Sequence, residues 1–306
     1  MDTILNQIIH GLMLGVMYSL VAVGFTLFFG VLNLVQFAHG EIFMVGAFLG
    51  LIILNLLHSF LGIDSPAILL LICFIGSSAL TALFGLLFGR ITIRPIKDAP
   101  PVIALLTTLG AGISIRFFVM AFYPAGSQPQ NFPGYLPDWQ TEVHGVLLRF
   151  DSLFILVGGI LLILGTYLFI NKTKMGIAMR AVAQDRETAS MMGVNINRVI
   201  DTTFVVSGVL AACAGIFNGL YYRQIIFDMG AIYGVIGFSA AVIGGLGSIL
   251  GAIVGGFLFA LLASFTSAFI PGGSAYRFVT AFAFLIFVLV IMPKGILQAS
   301  RGKRET

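Results

Sequence analysis

The chain has 306 residues, 59% of them hydrophobic and only 9% charged, with a mean hydropathy of +1.07 and a formal net charge of +4. Soluble domains carry about 25% charged residues, so this is a polytopic membrane protein. Its long continuous apolar runs exclude a membrane β-barrel, whose strands alternate, and its basic residues, sorted by loop, set orientation and give no nucleic-acid signal.

The N-terminus, Met1 to Gln7, has no basic region, so no cleavable leader is expected and the first apolar run is a permanent span. A hydrocarbon core about 30 Å thick needs about 20 helical residues to cross. On that measure spans fall at 8–30, 36–57, 66–89, 101–122, 152–170, 200–221, 229–247, 249–270 and 276–293. The run 229–247 is rich in glycine and reads equally as a broken or re-entrant segment. The expected architecture is therefore an all-α membrane bundle of eight or nine spans forming one domain, 1–306.

Asn33, Gln36, His39 and Glu41 join the first two spans. Ionisable groups at membrane depth are costly and face protein or water. If helical, Gln36, His39 and Gly40 share a face that turns the imidazole toward the bundle interior. A carboxylate and an imidazole this close either relay protons or pin a helix break by satisfying free backbone groups. Cys73 and Cys213 lie inside apolar runs and read as packing residues, with no metal site or disulfide framework.

The loop 90–98 holds Arg90, Arg94 and Lys97. Arg116 lies within a span and either snorkels outward or pairs with a carboxylate elsewhere. The stretch 123–150 is different in kind: Pro124, Pro129, Pro133, Pro137, Gly126 and Gly134 punctuate turns around the single tryptophan, Trp139. It reads as an extracytoplasmic loop, either a cap with Trp139 at the lipid interface or a docking surface for an external partner.

The elbow 172–198 is polar yet patterned. Lys172, Lys174, Arg180, Asp185, Arg186, Glu187 and Arg198 sit among Ala178, Val182, Ala189 and Met192, which recur on one side of a helical period. Gly193 suits the left-handed position that ends a helix. Two short helices are expected outside the bilayer, near 176–183 and 185–192. They form either a lever for a soluble partner or an interfacial anchor. Asp201 and Asp228 lie near span ends, where an acid at a helix N-terminus is favourable.

Gly244, Gly245, Gly247, Gly251, Gly255 and Gly256 form small-residue stripes suited to close helix packing. The segments Gln36–Phe48 and Gly237–Gly247 look distantly alike and cross in opposite senses, as the halves of an inverted repeat do; shared membrane composition gives the same likeness. With the tail residues Lys294, Arg301, Lys303 and Arg304, twelve of the 16 basic residues fall on the elbow's side. The positive-inside rule then puts the elbow and C-terminus in the cytoplasm and the N-terminus outside. No phosphate-cradling Gly-x-x-x-x-Gly-Lys-Ser/Thr, His-Glu-x-x-His, Cys-x-x-Cys or Gly-x-Ser-x-Gly occurs. An enzyme reading has no catalytic residues to stand on, and the chain has no standard means of burning ATP.

Three runs carry a family resemblance: Asn33–Phe48 around Phe37-Ala38-His39-Gly40-Glu41, Met175–Asn195 around Ala183-Gln184-Asp185-Arg186-Glu187, and Gly237–Ala252. Nearly end to end, the chain resembles LivH-type permease subunits of branched-chain amino acid ABC importers. The resemblance implies a multi-pass subunit of the bacterial or archaeal inner membrane. It also implies two cytoplasmic ATPases that bind the ATP, a second permease of LivM type and an extracytoplasmic substrate-binding protein. It places Arg180, Ala183, Asp185, Glu187, Met191 and Gly193 at or near the ATPase contact, and Trp139 in a loop that meets the binding protein. Asn33, Gln36, His39 and Glu41 remain with the translocation path or the helix break. Related permeases are linked to urea and short-chain amides, and a proton-coupled secondary transporter using His39 and Glu41 is the rival from another class.

Overall fold

The computed structural model describes residues 2–62, 65–96, 99–136, 139–143 and 146–297; the expected roles of Lys97, Pro137, Arg301, Lys303 and Arg304 fall outside them. The helices are α1 (Asp2–Leu32), α2 (His39–Leu61), α3 (Pro66–Phe88), α4 (Pro101–Phe122), α5 (Phe150–Lys172), α6 (Lys174–Gln184), α7 (Arg186–Met191), α8 (Ile196–Tyr222), α9 (Met229–Gly244), α10 (Ile249–Phe269) and α11 (Gly273–Ile291). Each of the nine apolar runs carries one helix. Among the described residues seven helices are long and apolar enough to cross a membrane, while Met229–Gly244 and Phe278–Ile291 are shorter apolar helical stretches.

The core is built from α1, α2, α8, α9 and α10. Small residues let these helices approach. A Cβ on Gly15 would meet the Phe257 ring, and one on Gly256 would meet the backbone of Ser19, whose hydroxyl donates to the Ile253 carbonyl at 2.9 Å. Gly244 and Gly251 likewise press backbone against backbone where α9 meets α10. Gly245 and Gly247 do a different job: φ values of +106° and +87° turn the chain from α9 into α10. By contrast α3, α4, α5 and α11 leave leucine, isoleucine, valine and phenylalanine exposed along their outer faces. Such a surface belongs in lipid or against another subunit.

Two helices start at depth rather than at a surface. Residues 33–38 interrupt the α1–α2 connection, opening with Asn33 at φ +52°, a conformation asparagine tolerates. The chain then turns back, so that His39 packs over Gly24, well before the end of α1. Gly112, halfway along α4, lies 3.3 Å from Ala38 and 3.4 Å from Glu41, measured from where its Cβ would stand. The first turn of α2 therefore sits near mid-depth, and the expected span 36–57 loses its first three residues. α9 begins beside it, with Gly230 and Gly234 against Gly40. At 16 residues, α9 rises only about 24 Å.

The described residues of 123–149 contribute three short strands. Strand β1 (Gln130–Asn131) pairs with β4 (Gln224–Ile225), and β2 (Gln140–Val143) pairs with β3 (Val146–Arg149). Asp151 fastens them to the bundle. Its buried carboxylate accepts from Arg149 at 3.0 Å and from Arg223 at 2.5 Å.

Candidate functional site

The elbow forms because each of its helices has its own start signal. The Thr173 hydroxyl accepts from the Gly176 N–H at 3.0 Å and opens α6. One carboxylate oxygen of Asp185 accepts from the N–H groups of Glu187 (2.9 Å) and Thr188 (3.1 Å), and the other accepts the Thr188 hydroxyl at 2.5 Å; together they open α7. Asn195 opens α8 by accepting from the Arg198 N–H at 3.0 Å. Gly193, at φ +84°, ends the elbow in the left-handed conformation its position suggested. The Thr188 hydroxyl, the Thr188 N–H and the Glu187 N–H hold the Asp185 carboxyl below its ordinary range.

One side of the elbow faces the bundle through Gly176, Met179, Val182 and Ala189. Met192 was expected there and instead is 80% exposed, because α7 ends at Met191 and the next residue leaves the helical period. Arg180, Ala183, Asp185, Glu187, Met191 and Gly193 are all six exposed, Arg180 and Ala183 at the edge of the space between elbow and bundle. Two adjacent exposed methionines on a polar tip are unusual, and Met side chains adapt to a partner's surface. Arg180 also donates to Asn171 at 3.1 Å, tying α6 to the end of α5. Beneath the elbow a small cavity of about 50 Å³ lies between Met179 and Ala183 on one side and Thr26, Gly30 and Gly247 on the other. The elbow thus rests on the end of α1 and on the α9–α10 turn, as well as on its own flanking helices.

Asp201 does more than favour a helix N-terminus. Its carboxylate accepts from Arg90 at 2.8 Å and Arg94 at 2.6 Å, in the π-helical and 3₁₀ turns Gly89–Ile93 and Arg94–Ile96 that continue α3. The clamp joins the end of α3 to the helix that follows the elbow. All three side chains are partly exposed, so solvent screens them. Asp201→Asn is expected to lower stability by about 1 kcal/mol in low salt and by less in high salt. Thermal unfolding of the purified protein at two ionic strengths checks this.

The cluster between α1 and α2 is divided by the structure. Asn33 is exposed at the turn. Gln36 is fully buried, and neither of its side-chain polar atoms has a hydrogen-bond partner among the described residues. His39 is also buried, edge-on to Phe25 and Phe28 of α1, and faces the interior. Neither side chain caps α2, whose N-terminus has no side-chain hydrogen bond; the break exists without that support. Glu41, two residues after His39, points to another face of the helix and pairs with Arg116 of α4. Thus Arg116 finds its carboxylate inside the bundle, and the carboxylate and imidazole do not meet. Sequence reasoning left this pair unassigned because its partners lie 75 residues apart. Asp228 precedes α9 without capping it. Trp139 is exposed in the stretch between α4 and α5, and its carbonyl accepts the Phe150 N–H at 3.1 Å.

With this geometry in place, comparison with known proteins is informative. A family model described as branched-chain amino acid transport system, permease component, matches residues 7–291. The high-affinity branched-chain amino acid transport system permease protein BraD of Pseudomonas aeruginosa is 34% identical over 295 residues, covering 96% of this chain and 95% of that protein. LivH of Escherichia coli K12, whose name describes the same role, is 34% identical over 297 residues, with 96% and 95% covered. A probable LivH of Methanocaldococcus jannaschii is 29% identical over 287 residues, with 90% and 87% covered.

Proposed function

The chain belongs to the permease components of branched-chain amino acid transport systems, and from that premise we propose that it is one half of a translocation channel driven by separate ATPases. It is a multi-pass membrane subunit that does transport rather than covalent chemistry. Leucine, isoleucine and valine are its proposed substrates, through its relatives' names.

In this reading two cytoplasmic ATPases bind ATP, and the elbow α6–α7 rides on one of them. A second permease completes the channel, and an extracytoplasmic binding protein delivers the solute to the side carrying Trp139. Closure of the ATPases moves the elbow. The movement reaches α5 and α8 through the chain, α1 and the α9–α10 turn through packing, and α3 through the Asp201 clamp. The path then switches from outward-open to inward-open. The observation that carries this reading is the capped, ordered elbow that exposes Asp185, Glu187, Met191 and Gly193 in an otherwise lipid-soluble chain. A proton relay through His39 and Glu41 finds no support, because the two side chains face different helices.

Co-purification tests the proposal. Two ATPase chains and a second permease should come out with this protein in stoichiometric amounts, and their ATP turnover should rise on addition of a leucine-loaded binding protein. A chain that purifies alone and moves leucine without ATP overturns it.

A further inference from the structure

The Glu41–Arg116 pair is a poor choice if its only task is to hold α2 against α4. Charges withdrawn from water lose solvation that mutual attraction barely returns, and apolar replacements are often neutral or stabilising. Ionisable groups at membrane depth mark functional paths by default. Here the pair is also incompletely used. Arg116 Nε donates to Glu41 Oε1 at 3.0 Å, and Nη2 donates to the same oxygen. Glu41 is 3% exposed, yet its Oε2 has no hydrogen-bond partner among the described residues. The remaining guanidinium donors of Arg116 find no acceptor among the described residues.

Both side chains line a cavity of about 110 Å³ between α2, α4 and α9, with Phe37, Leu109, Ile113 and Val235 as its apolar walls. Leu109, Ile113 and Val235 are more than one-third exposed, so the cavity opens on a face this chain leaves uncovered. Asp228, at the start of α9, brings a second carboxylate within electrostatic range of Glu41. An unpartnered carboxylate oxygen, with a second acid nearby to favour an ammonium, thus stands beside a guanidinium with unused donors that suit a carboxylate.

We propose that Glu41 and Arg116 form a subsite for the charged head of a zwitterionic α-amino acid, Arg116 taking its carboxylate and Glu41 its ammonium. The apolar side chain lies along Leu109, Ile113 and Val235. In the empty subsite Glu41 and Arg116 compensate each other, and substrate separates them by satisfying each. The second permease, covering the open face, closes the volume around the side chain. This inference rests on the transport reading above and names where within the channel the solute is held.

The test uses the complete transporter in proteoliposomes with Glu41→Gln, Arg116→Gln and the double variant. Leucine uptake should fall at least tenfold in all three, while ATPase stimulation by the loaded binding protein persists. Recovery of uptake in the neutral double variant would make the pair structural and overturn the subsite. So would wild-type uptake in either single variant. A wild-type complex that transports no branched-chain amino acid overturns the transport reading and the subsite with it. A second measurement needs no variant: labelled leucine bound to the solubilised wild-type complex without binding protein. Unlabelled leucine should displace it at least tenfold better than isoamylamine, which lacks the carboxylate, or 4-methylpentanoate, which lacks the ammonium. Equal competition by either analogue, or no leucine binding, overturns the proposal.

Discussion

Glu187→Lys is expected to cut leucine uptake by roughly 10- to 100-fold, the range for losing a partnered charge at an interface. The protein should stay in the membrane, and ATP hydrolysis by its partners should continue. This substitution is informative because of what it leaves intact. The Glu187 side chain has no hydrogen bond or ion pair among the described residues; its backbone N–H donates to Asp185. No side-chain hydrogen bond or ion pair among the described residues is lost, and the less favourable charge at the start of α7 costs only about 0.3–1 kcal/mol, so a large effect on uptake arises in what the tip touches. Asp185 differs because it carries both a charge and a cap. Asp185→Lys removes both, whereas Asp185→Asn keeps a good N-cap and removes the charge alone. Impaired uptake in Asp185→Asn assigns the charge to the partner contact, and normal uptake assigns Asp185 to capping. The Asp185 carboxyl lies below its ordinary value of 3.8 in the folded chain. Its contribution to α7 is therefore complete above that value and is lost as pH falls through the lower, folded one, so acid should loosen the tip without affecting it near neutrality. Uptake and ATPase assays on reconstituted variants decide the matter. Unaltered uptake in both Glu187→Lys and Asp185→Lys removes the elbow from coupling.

The elbow was legible in the sequence because its signals are local. Thr173, Asp185 and Asn195 precede helices by the spacing that capping requires, and Gly193 supplies the left-handed residue that follows α7. The nine apolar runs were legible for the same reason, since length and hydropathy need no knowledge of neighbours. What remained hidden depends on partners remote in sequence. A helix that meets lipid on one side and protein on the other is apolar all round, so its periodicity does not show which face is buried. Nothing near Arg116 points to Glu41, nor does anything near Asp201 point to Arg90 and Arg94. The depth at which α2 starts was also unreadable. Nothing in residues 33–38 sets their depth, and only the contacts of His39 with Gly24 and of Ala38 with Gly112 place the start of α2 well inside the bundle. Met192 failed through a boundary shift of one residue, the least certain part of any helix assignment.

Gly40→Val should be among the most damaging single substitutions in the chain, lowering stability by about 1–3 kcal/mol and abolishing most uptake. A Cβ at Gly40 would stand 2.7 Å from the Cα of Gly234 and closer still to the carbonyl oxygen of Gly230. Both obstacles are backbone, so no rotamer change makes room; α2 and α9 must separate. The same seam forms one wall of the Glu41 cavity, through Gly234 and Val235. Separation therefore costs packing and moves the groups around the ion pair together, and uptake should fall further than stability alone explains. Gly165 of α5 is the natural control. Nothing lies within 4 Å of its Cβ position, and the helix gains from losing a glycine, so Gly165→Ala should be neutral or more stable by about 0.4–1 kcal/mol. Thermal unfolding of detergent-purified protein, followed by size-exclusion chromatography, ranks the two variants against the parent. Equal midpoints for Gly40→Val and Gly165→Ala would mean that the α2–α9 contact yields easily, and that the mid-depth start of α2 is not held by close backbone packing.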